Sequence, residues 1–520
     1  IVLVHATDGK PTGPWKRSPI CKLALDRNLM STIQRVGYLA LSLVLLLAPS
    51  WLASPAQAAD FRAGAFAQPI SPTRFPAPVN GSMKGAFAAD VHDPMQARCL
   101  ALHDGKMELV FCIVDACAIP REICEKTKEI ASKLTGIPVA QILISATHTH
   151  SAAALTPAFQ SDPDPEYVAG LPERIAQGII QAHANLEPAE IGWGRGSDPA
   201  QVFNRRWLVK AGESYENPFG GNADRARMNP GYQNPLVSRS FGPIDPAVAV
   251  LAVRSAADKR PLAFFANYSL HYVGGFPAIS ADYFAVFADE IGRRLKAGDA
   301  RYDNKPAFVG VMSNGTSGDI NNVNFTGPAP GPRQPGEQIL VVAKSVAEAA
   351  MKAYDQLEFR PHVTLDAIAA DMELAVRKPS ADDLKRAREL LETTPKDPDG
   401  QYSNMNAVYA RETVLLDAYP DKVPVKLQVL RIGDLSIAAI PCEVFVDIGL
   451  DLKKRTPFGQ HFTISLSNGY NGYLPTAEHH QYGGYETWRA RSSYLEVEAA
   501  AKITVRLVEM LTQLQKRATP

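Results

Sequence analysis

Apolar positions cluster in short runs along this chain, and polar or ionisable residues recur where the runs end. Residues 98–102 and 107–115 are two such runs separated by Asp104-Gly105, a turn signal that predicts a β-hairpin. Residues 120–134 follow with Ile123, Ile130 and Leu134 at helical spacing, then Gly136 and Pro138 to stop the helix. Residues 141–146 form the next apolar strand. Strand, helix and strand in this order predict a right-handed parallel crossover. Thr147-His148-Thr149-His150 therefore leaves the carboxyl end of one parallel strand, and Asp115 that of its neighbour.

The pattern recurs further along. Residues 247–253 and 262–268 read as strands, the second leading to Leu270-His271. Residues 307–312 run into the turn 313–321, which contains Ser317. Residues 426–432 and 435–440 pair around Gly433-Asp434 and release Glu443, while 462–466 lead to the segment 468–473, ending in Tyr473. Helices are expected near 166–185, 284–297, 337–356, 380–393, 404–418 and 491–515. The stretches 211–246 and 327–336, rich in Gly, Asn and Pro, read as long functional loops. No sequence repeat or dividing linker is visible. The expected class is α/β, with mixed β-sheets, flanking helices and an active site at the carboxyl ends of strands, where ligands bind in open α/β sheets.

Composition narrows the functional classes. The 520 residues are 46% apolar and carry 54 basic and 54 acidic side chains, so no net charge or basic stripe invites nucleic acid. At the amino end, Met30 to Arg35 is a short basic start, 37–48 is apolar, and Ala56-Gln57-Ala58 fits signal-peptidase cleavage. The apolar run is shorter than the ~20 residues that cross a bilayer. We therefore expect a non-native upstream extension at 1–29, a signal peptide at 30–58, and a single periplasmic or secreted catalytic domain at 59–520. Six cysteines occur, and the leader would remove one; the remaining odd number and the lack of a CxxC pair argue against a disulfide scaffold or a cysteine zinc site.

The candidate chemistry is metal-centred. In a strand, His148 and His150 would point to one face, and His271 and Glu443 leave other strand ends to complete a donor set for zinc. A lone His-x-His pair also fits hydrogen-bonded histidines at a loop entrance. Ser317 reads equally as a nucleophile or as part of a Gly-rich turn whose N–H groups line a pocket, and it lacks the GxSxG frame. The adjacent His479 and His480 are expected to face solvent.

Several segments together resemble the catalytic domain of the neutral (alkaline, non-lysosomal) ceramidases. They are Val91-His-Asp-Pro94, Ser145-Ala-Thr-His-Thr-His-Ser151, Phe203-Asn-Arg-Arg206, Asn267-Tyr-Ser-Leu-His271, Ser280-Ala-Asp282, Ser317-Gly-Asp-Ile320, Pro441-Cys-Glu-Val-Phe445, Gly472-Tyr473 and Tyr485-Glu486. The resemblance implies one Zn2+ per chain on His148, His271, Glu443 and Tyr473. It places His150, Arg205 and Tyr485 against the substrate, and aligns Ser317 with a family serine once assigned as nucleophile. It implies amide hydrolysis of ceramide or a related N-acyl compound by a zinc-activated water. Asp115 and Asp282 would orient the histidines, or simply cap turns. The implied partner is a small-molecule or lipid substrate, met in transient contact with a membrane surface.

The chain departs from the family pattern at three places. His150 is followed by Ser-Ala-Ala-Ala-Leu155 rather than Ser-Gly-Pro-Gly-Gly, and Ile320 by Asn-Asn rather than Ser-Pro. A carboxyl-terminal immunoglobulin-like domain is not expected. These changes touch the substrate side, and they leave open an ester, lactone or small amide as substrate. Further alternatives are a binding protein that has lost the reaction and a metal-free serine hydrolase.

Overall fold

Strands that are apolar on both faces need cover on both faces, and the fold supplies it in four layers: helices, a large sheet, a small sheet, and helices again. The computed structural model describes residues 61–518; the upstream extension and signal peptide expected at 1–29 and 30–58 lie outside the described residues. The described residues cluster as one compact unit.

One topological unit occurs three times. In the first, β1 (Arg62–Pro69), β2 (Gln96–His103) and β3 (Glu108–Val114) form an antiparallel meander, and helix α1 (Arg121–Thr135) crosses to β4 (Ile142–Ala146), parallel to β3. Helix α2 (Leu171–Ala184) follows. The second repeats this as β5 (Glu187–Ser197), β6 (Ala247–Ser255), β7 (Pro261–Tyr268), α3 (Asp282–Arg294), β8 (Val309–Asn314) and α4 (Glu337–Tyr354). The third starts with β9 (Leu365–Ala375) and carries an inserted helical hairpin, α5 (Ala381–Thr393) and α6 (Met405–Asp417). It continues through β10 (Lys422–Ile432), β11 (Leu435–Ala439), α7 (Val446–Arg455) and β12 (Gln460–Ile464). The helix α8 (Ala477–Tyr482) and the final helix α9 (Ala499–Ala518) complete it.

Units one and two join through a short β1–β5 pairing into an eight-stranded sheet, ordered β8-β7-β6-β5-β1-β2-β3-β4, and unit three is the separate sheet β9-β10-β11-β12. The core between the sheets sets Leu100, Phe111, Phe265 and Val311 against Leu430, Ile437 and Phe462. Helices cover the outer faces. The parallel pair of each unit thus sends two loops to the same edge, and three such edges converge. The crossover through α1 and both hairpins expected from the sequence are present, whereas helix α7 of the third crossover was not anticipated.

Of the strands in these two sheets, three were not anticipated, and they are the first of each unit: β1, β5 and β9. The 211–246 stretch is also more ordered than expected, because Ala226–Met228 and Val237–Ser240 pair with Arg206–Val209. The five cysteines among the described residues are free and buried.

One polar side chain inside the helix layer sets a pH dependence. Lys128 of α1 is buried, its Nζ donating to Asn468 Oδ1 at 2.6 Å. Burial lowers its pKa from 10.5 to about 8. Because the folded value lies below the unfolded one, the unfolded chain binds more protons between those values, and stability should rise with pH across that window. The shift corresponds to roughly 3 kcal/mol at most. Urea unfolding at pH 7.5 and 10 should show this gain in the wild type and lose most of it in Lys128→Met; equal pH dependence in both would refute the assignment.

Candidate active site

The crossover of unit one delivers the first ligand candidates. β4 ends at Ala146, and His148 turns into the left-handed region with φ 75°. A non-glycine residue held there costs of order 1 kcal/mol. His148 and His150 therefore do not share a strand face, as the i, i+2 reading supposed. The turn brings them together instead, with Nε2 atoms 3.2 Å apart. His271 arrives from the end of β7 and Glu443 from just beyond β11.

Hydrogen bonds fix how these groups face one another. The Nδ1 of His148 lies 2.6 Å from the Cys117 carbonyl, and that of His271 lies 2.9 Å from the Ser317 carbonyl. A carbonyl only accepts, so each Nδ1 carries a proton and each Nε2 turns into the shared space. Against burial, the Glu443 carboxylate raises the His148 pKa to about 10, so without a metal ion a proton sits between those two groups. Those two Nε2 atoms sit 3.0 Å apart, and Glu443 Oε2 lies 3.2 Å from the first and 3.8 Å from the second. Tyr470 donates to the other carboxylate oxygen at 2.9 Å, which leaves Oε2 buried with no hydrogen-bond partner. Two imidazole nitrogens and a carboxylate oxygen converging in a buried space hold a cation among them, either a proton on His148 or a metal ion. The donor set fits a divalent metal of the zinc type.

Tyr473 enters beside Glu443 through a two-residue parallel pairing, Glu443↔Tyr473 and Val444↔Leu474. Its phenol oxygen accepts from Arg205 Nη2 at 3.1 Å. It is placed as a fourth ligand candidate. Arg205 is buried, with Nη1 3.4 Å from His271 Nε2, Nη2 donating to the Gly318 carbonyl, and Nε donating to Glu486 at 3.0 Å. Tyr485 faces Tyr473 with ring centroids 5.7 Å apart, and burial pushes its phenol up so that it keeps its proton.

His150 is held by Nδ1 at 3.0 Å from the Gly81 carbonyl and by stacking on Tyr272 at 3.7 Å. Burial pushes His150 and His271 well below the ordinary histidine value. Gly81, at φ +112°, is required here: a Cβ at that position would come within 2.5 Å of the His150 ring. The cavity above these groups is about 50 Å³ and is lined by Gly81, Cys117, His148, His150, Phe159, Tyr470 and Tyr485, among others.

Two expectations need correction, the histidine-orienting role of Asp115 and Asp282 and the exposure of His479. Asp115 and Asp282 touch neither histidine: Asp115 pairs with Arg98 and accepts from the Gln96 N–H, and Asp282 accepts from the N–H groups of Val273, Gly274 and Tyr283. Backbone carbonyls orient the imidazoles instead, and Asp282 braces the loop after His271. The Ser317 hydroxyl donates to Asn314 Oδ1 at 2.8 Å, and among the described residues no imidazole nitrogen is hydrogen-bonded to it. His479 is buried rather than solvent-facing. The sequence reading gave no role to Cys117, Tyr272, Tyr470 or Gly81. The first three follow strand ends within a few residues, which is the signal that could have found them.

No family model matches the chain, and no curated protein matches it in sequence. Among solved structures, it is similar to "Ceramidase complexed with C2", with a TM-score of 0.65 at 16% identity over 88% of this chain and 75% of that one. A neutral ceramidase from Pseudomonas aeruginosa is similar at a TM-score of 0.63, again at 16% identity and the same coverage. The fold is that of the neutral ceramidases.

Proposed function

We propose that this protein is a zinc-dependent hydrolase that cleaves the amide bond of an N-acyl compound, with ceramide-like lipids as the substrate class. The observation that carries this reading is the buried convergence of His148 Nε2, His271 Nε2 and Glu443 Oε2, the last without a hydrogen-bond partner. With Tyr473 these residues would hold the ion, which when bound polarises a carbonyl and activates a water. Likeness of fold to ceramidases supports the lipid amide as substrate.

The remaining groups suit the rest of such a reaction. Arg205 keeps its charge and Tyr485 its proton, so both can donate to the oxyanion that develops on the amide carbonyl. His150 has its Nδ1 committed to Gly81, and its Nε2, 3.2 Å from that of His148, faces the same space, where it would take a proton and pass it to the leaving amine. Ser317 is a positioning residue in this scheme, because its carbonyl holds His271 while its hydroxyl is engaged by Asn314.

The small cavity favours a second reading on the substrate side. A volume of about 50 Å³ accommodates a few waters, whereas drug-sized ligands occupy roughly 300–1,000 Å³. A short acyl amide or ester fits that space as it stands; a two-chain lipid needs the Phe159–Tyr485 side to open.

A panel of N-acyl substrates of increasing chain length tests both readings. Chelator-treated protein should lose amide hydrolysis and regain it with Zn2+, and Ser317→Ala should keep activity within about tenfold, since the hydroxyl makes only a neutral hydrogen bond. Chelator-resistant turnover abolished in Ser317→Ala would replace the metal reading with a serine hydrolase. A kcat/KM that falls steadily with acyl length would favour the small substrate.

A further inference from the structure

Behind the candidate active site lies a second convergence of ligand atoms that the proposed reaction does not use. Asp319, Asp447 and His479 each offer one donor atom, and these atoms lie within 4.8 Å of one another. They come from three elements: the turn after β8, the first turn of α7, and α8. His479 is 3% exposed, and its Nε2 has no hydrogen-bond partner. That atom points to Asp447 Oδ2 at 3.9 Å, itself buried and unpartnered.

The imidazole is fixed in place. Its Nδ1 lies 2.7 Å from Thr476 Oγ1, and its ring packs between Phe241 and Phe445 with centroids 4.7 and 4.8 Å away. Asp319 is fully buried, and each of its oxygens accepts one hydrogen bond, from Val446 N–H at 2.9 Å and from Asn204 Nδ2 at 2.7 Å. A carboxylate oxygen has two lone pairs, so one remains on each. Asp447 is partly open to solvent and provides the path of entry.

The charges around this point leave a negative excess. Arg206 approaches the imidazole, but Glu486 and the Gly483 carbonyl already hold its guanidinium. Lys454 and Glu478 oppose each other across Asp447. Burial pushes the Asp319 carboxyl up to about 7, with the Asp447 charge adding to the effect. Two crowded acids and an unpartnered imidazole nitrogen are arranged as a cation would require.

We propose that Asp319, Asp447 and His479 form a second divalent-cation site, of the mixed imidazole–carboxylate kind that takes zinc or manganese. Calcium and magnesium favour all-oxygen cages, so the imidazole selects against them. Metal–ligand bonds of about 2.0–2.2 Å require Asp447 to close by roughly an ångström, which its exposed side permits. The ion would be structural. Asp319 accepts the Arg205 N–H at its own carbonyl and anchors the start of α7 through Val446. The site therefore ties Arg205 and the Glu443 segment to α8, which immediately precedes the Tyr485 turn.

Metal stoichiometry by elemental mass spectrometry tests this after dialysis with Zn2+ or Mn2+, on wild type, His148→Ala, His479→Ala and Asp447→Asn. Two equivalents per chain are expected in wild type, one in each single variant, and none in His148→Ala/His479→Ala. One equivalent in wild type, lost in His148→Ala and retained in His479→Ala and Asp447→Asn, would overturn the second site and leave the first standing. Loss confined to His479→Ala and Asp447→Asn would do the reverse. Asp447→Asn keeps the side-chain shape, so its far-UV spectrum and unfolding midpoint in chelator should match wild type, separating loss of metal from loss of fold.

Discussion

Replacing His271 with Ala should remove one metal equivalent per chain and lower amide hydrolysis by roughly a thousandfold or more, because the lost group would be a ligand of the ion that activates the water. The prediction rests on tautomers as much as on distances. The Ser317 carbonyl holds the proton of His271 on Nδ1, so Nε2 is committed as a donor of electrons into the shared space. His148 is committed in the same way by the Cys117 carbonyl. Removing either ring leaves Glu443 Oε2 with one imidazole opposite it rather than two. Elemental mass spectrometry beside an N-acyl amide assay would read both effects. Full metal content in His271→Ala would sink the assignment of this residue, whatever the activity did.

The candidate ligands were legible in the sequence because of where strands end. His148, His271 and Glu443 each follow an apolar run by a few residues, and a parallel crossover places such loops at one edge. The three-fold repetition of the unit was not legible. The first strand of each unit carries little pattern: β1 is small and mixed (Arg-Ala-Gly-Ala-Phe-Ala-Gln-Pro), β5 has glycines at 192, 194 and 196, and β9 has a spacing that also suits a helix. Their strand state comes from pairing with neighbours far along the chain, which no local window contains. The β5 glycines have a packing reason, since a Cβ on Gly196 would meet the Ala349 carbonyl of α4 at 2.3 Å.

Orientation was the other hidden layer. Sequence patterns name side chains, and carboxylates such as Asp115 and Asp282 are the natural guess for partners of a ligating histidine. In this fold the partners are the main-chain carbonyls of Cys117 and Ser317, which are invisible to residue identity. The same limit explains His479. A His-His pair in a polar stretch reads as exposed, but α8 lays one ring between Phe241 and Phe445 and turns the other, His480, to a half-buried position.

Glu486 concentrates the charge balance of the site, and its replacement by Gln should be among the most destabilising single changes in the chain. The carboxylate is fully buried between two buried guanidinium groups, Arg205 at 3.0 Å and Arg206 at 2.5 Å. Gln keeps the shape and removes the charge, so two cations are left in a low-dielectric space without the carboxylate they share. Breaking a buried pair in this way typically costs about 3–5 kcal/mol. The cost should also appear in catalysis. Arg205 is aimed by three contacts, to Glu486, the Gly318 carbonyl and Tyr473, and losing the first lets its guanidinium turn away from His271. Urea unfolding should show a midpoint well below wild type with an unchanged slope, and kcat should fall more than KM rises, since Arg205 acts on charge that develops in the transition state. Glu486→Asp, which restores the charge on a shorter arm, should recover part of the stability. An unfolding midpoint equal to wild type in Glu486→Gln would mean that the two arginines find other counter-charges, and the electrostatic account of this corner of the site would fail.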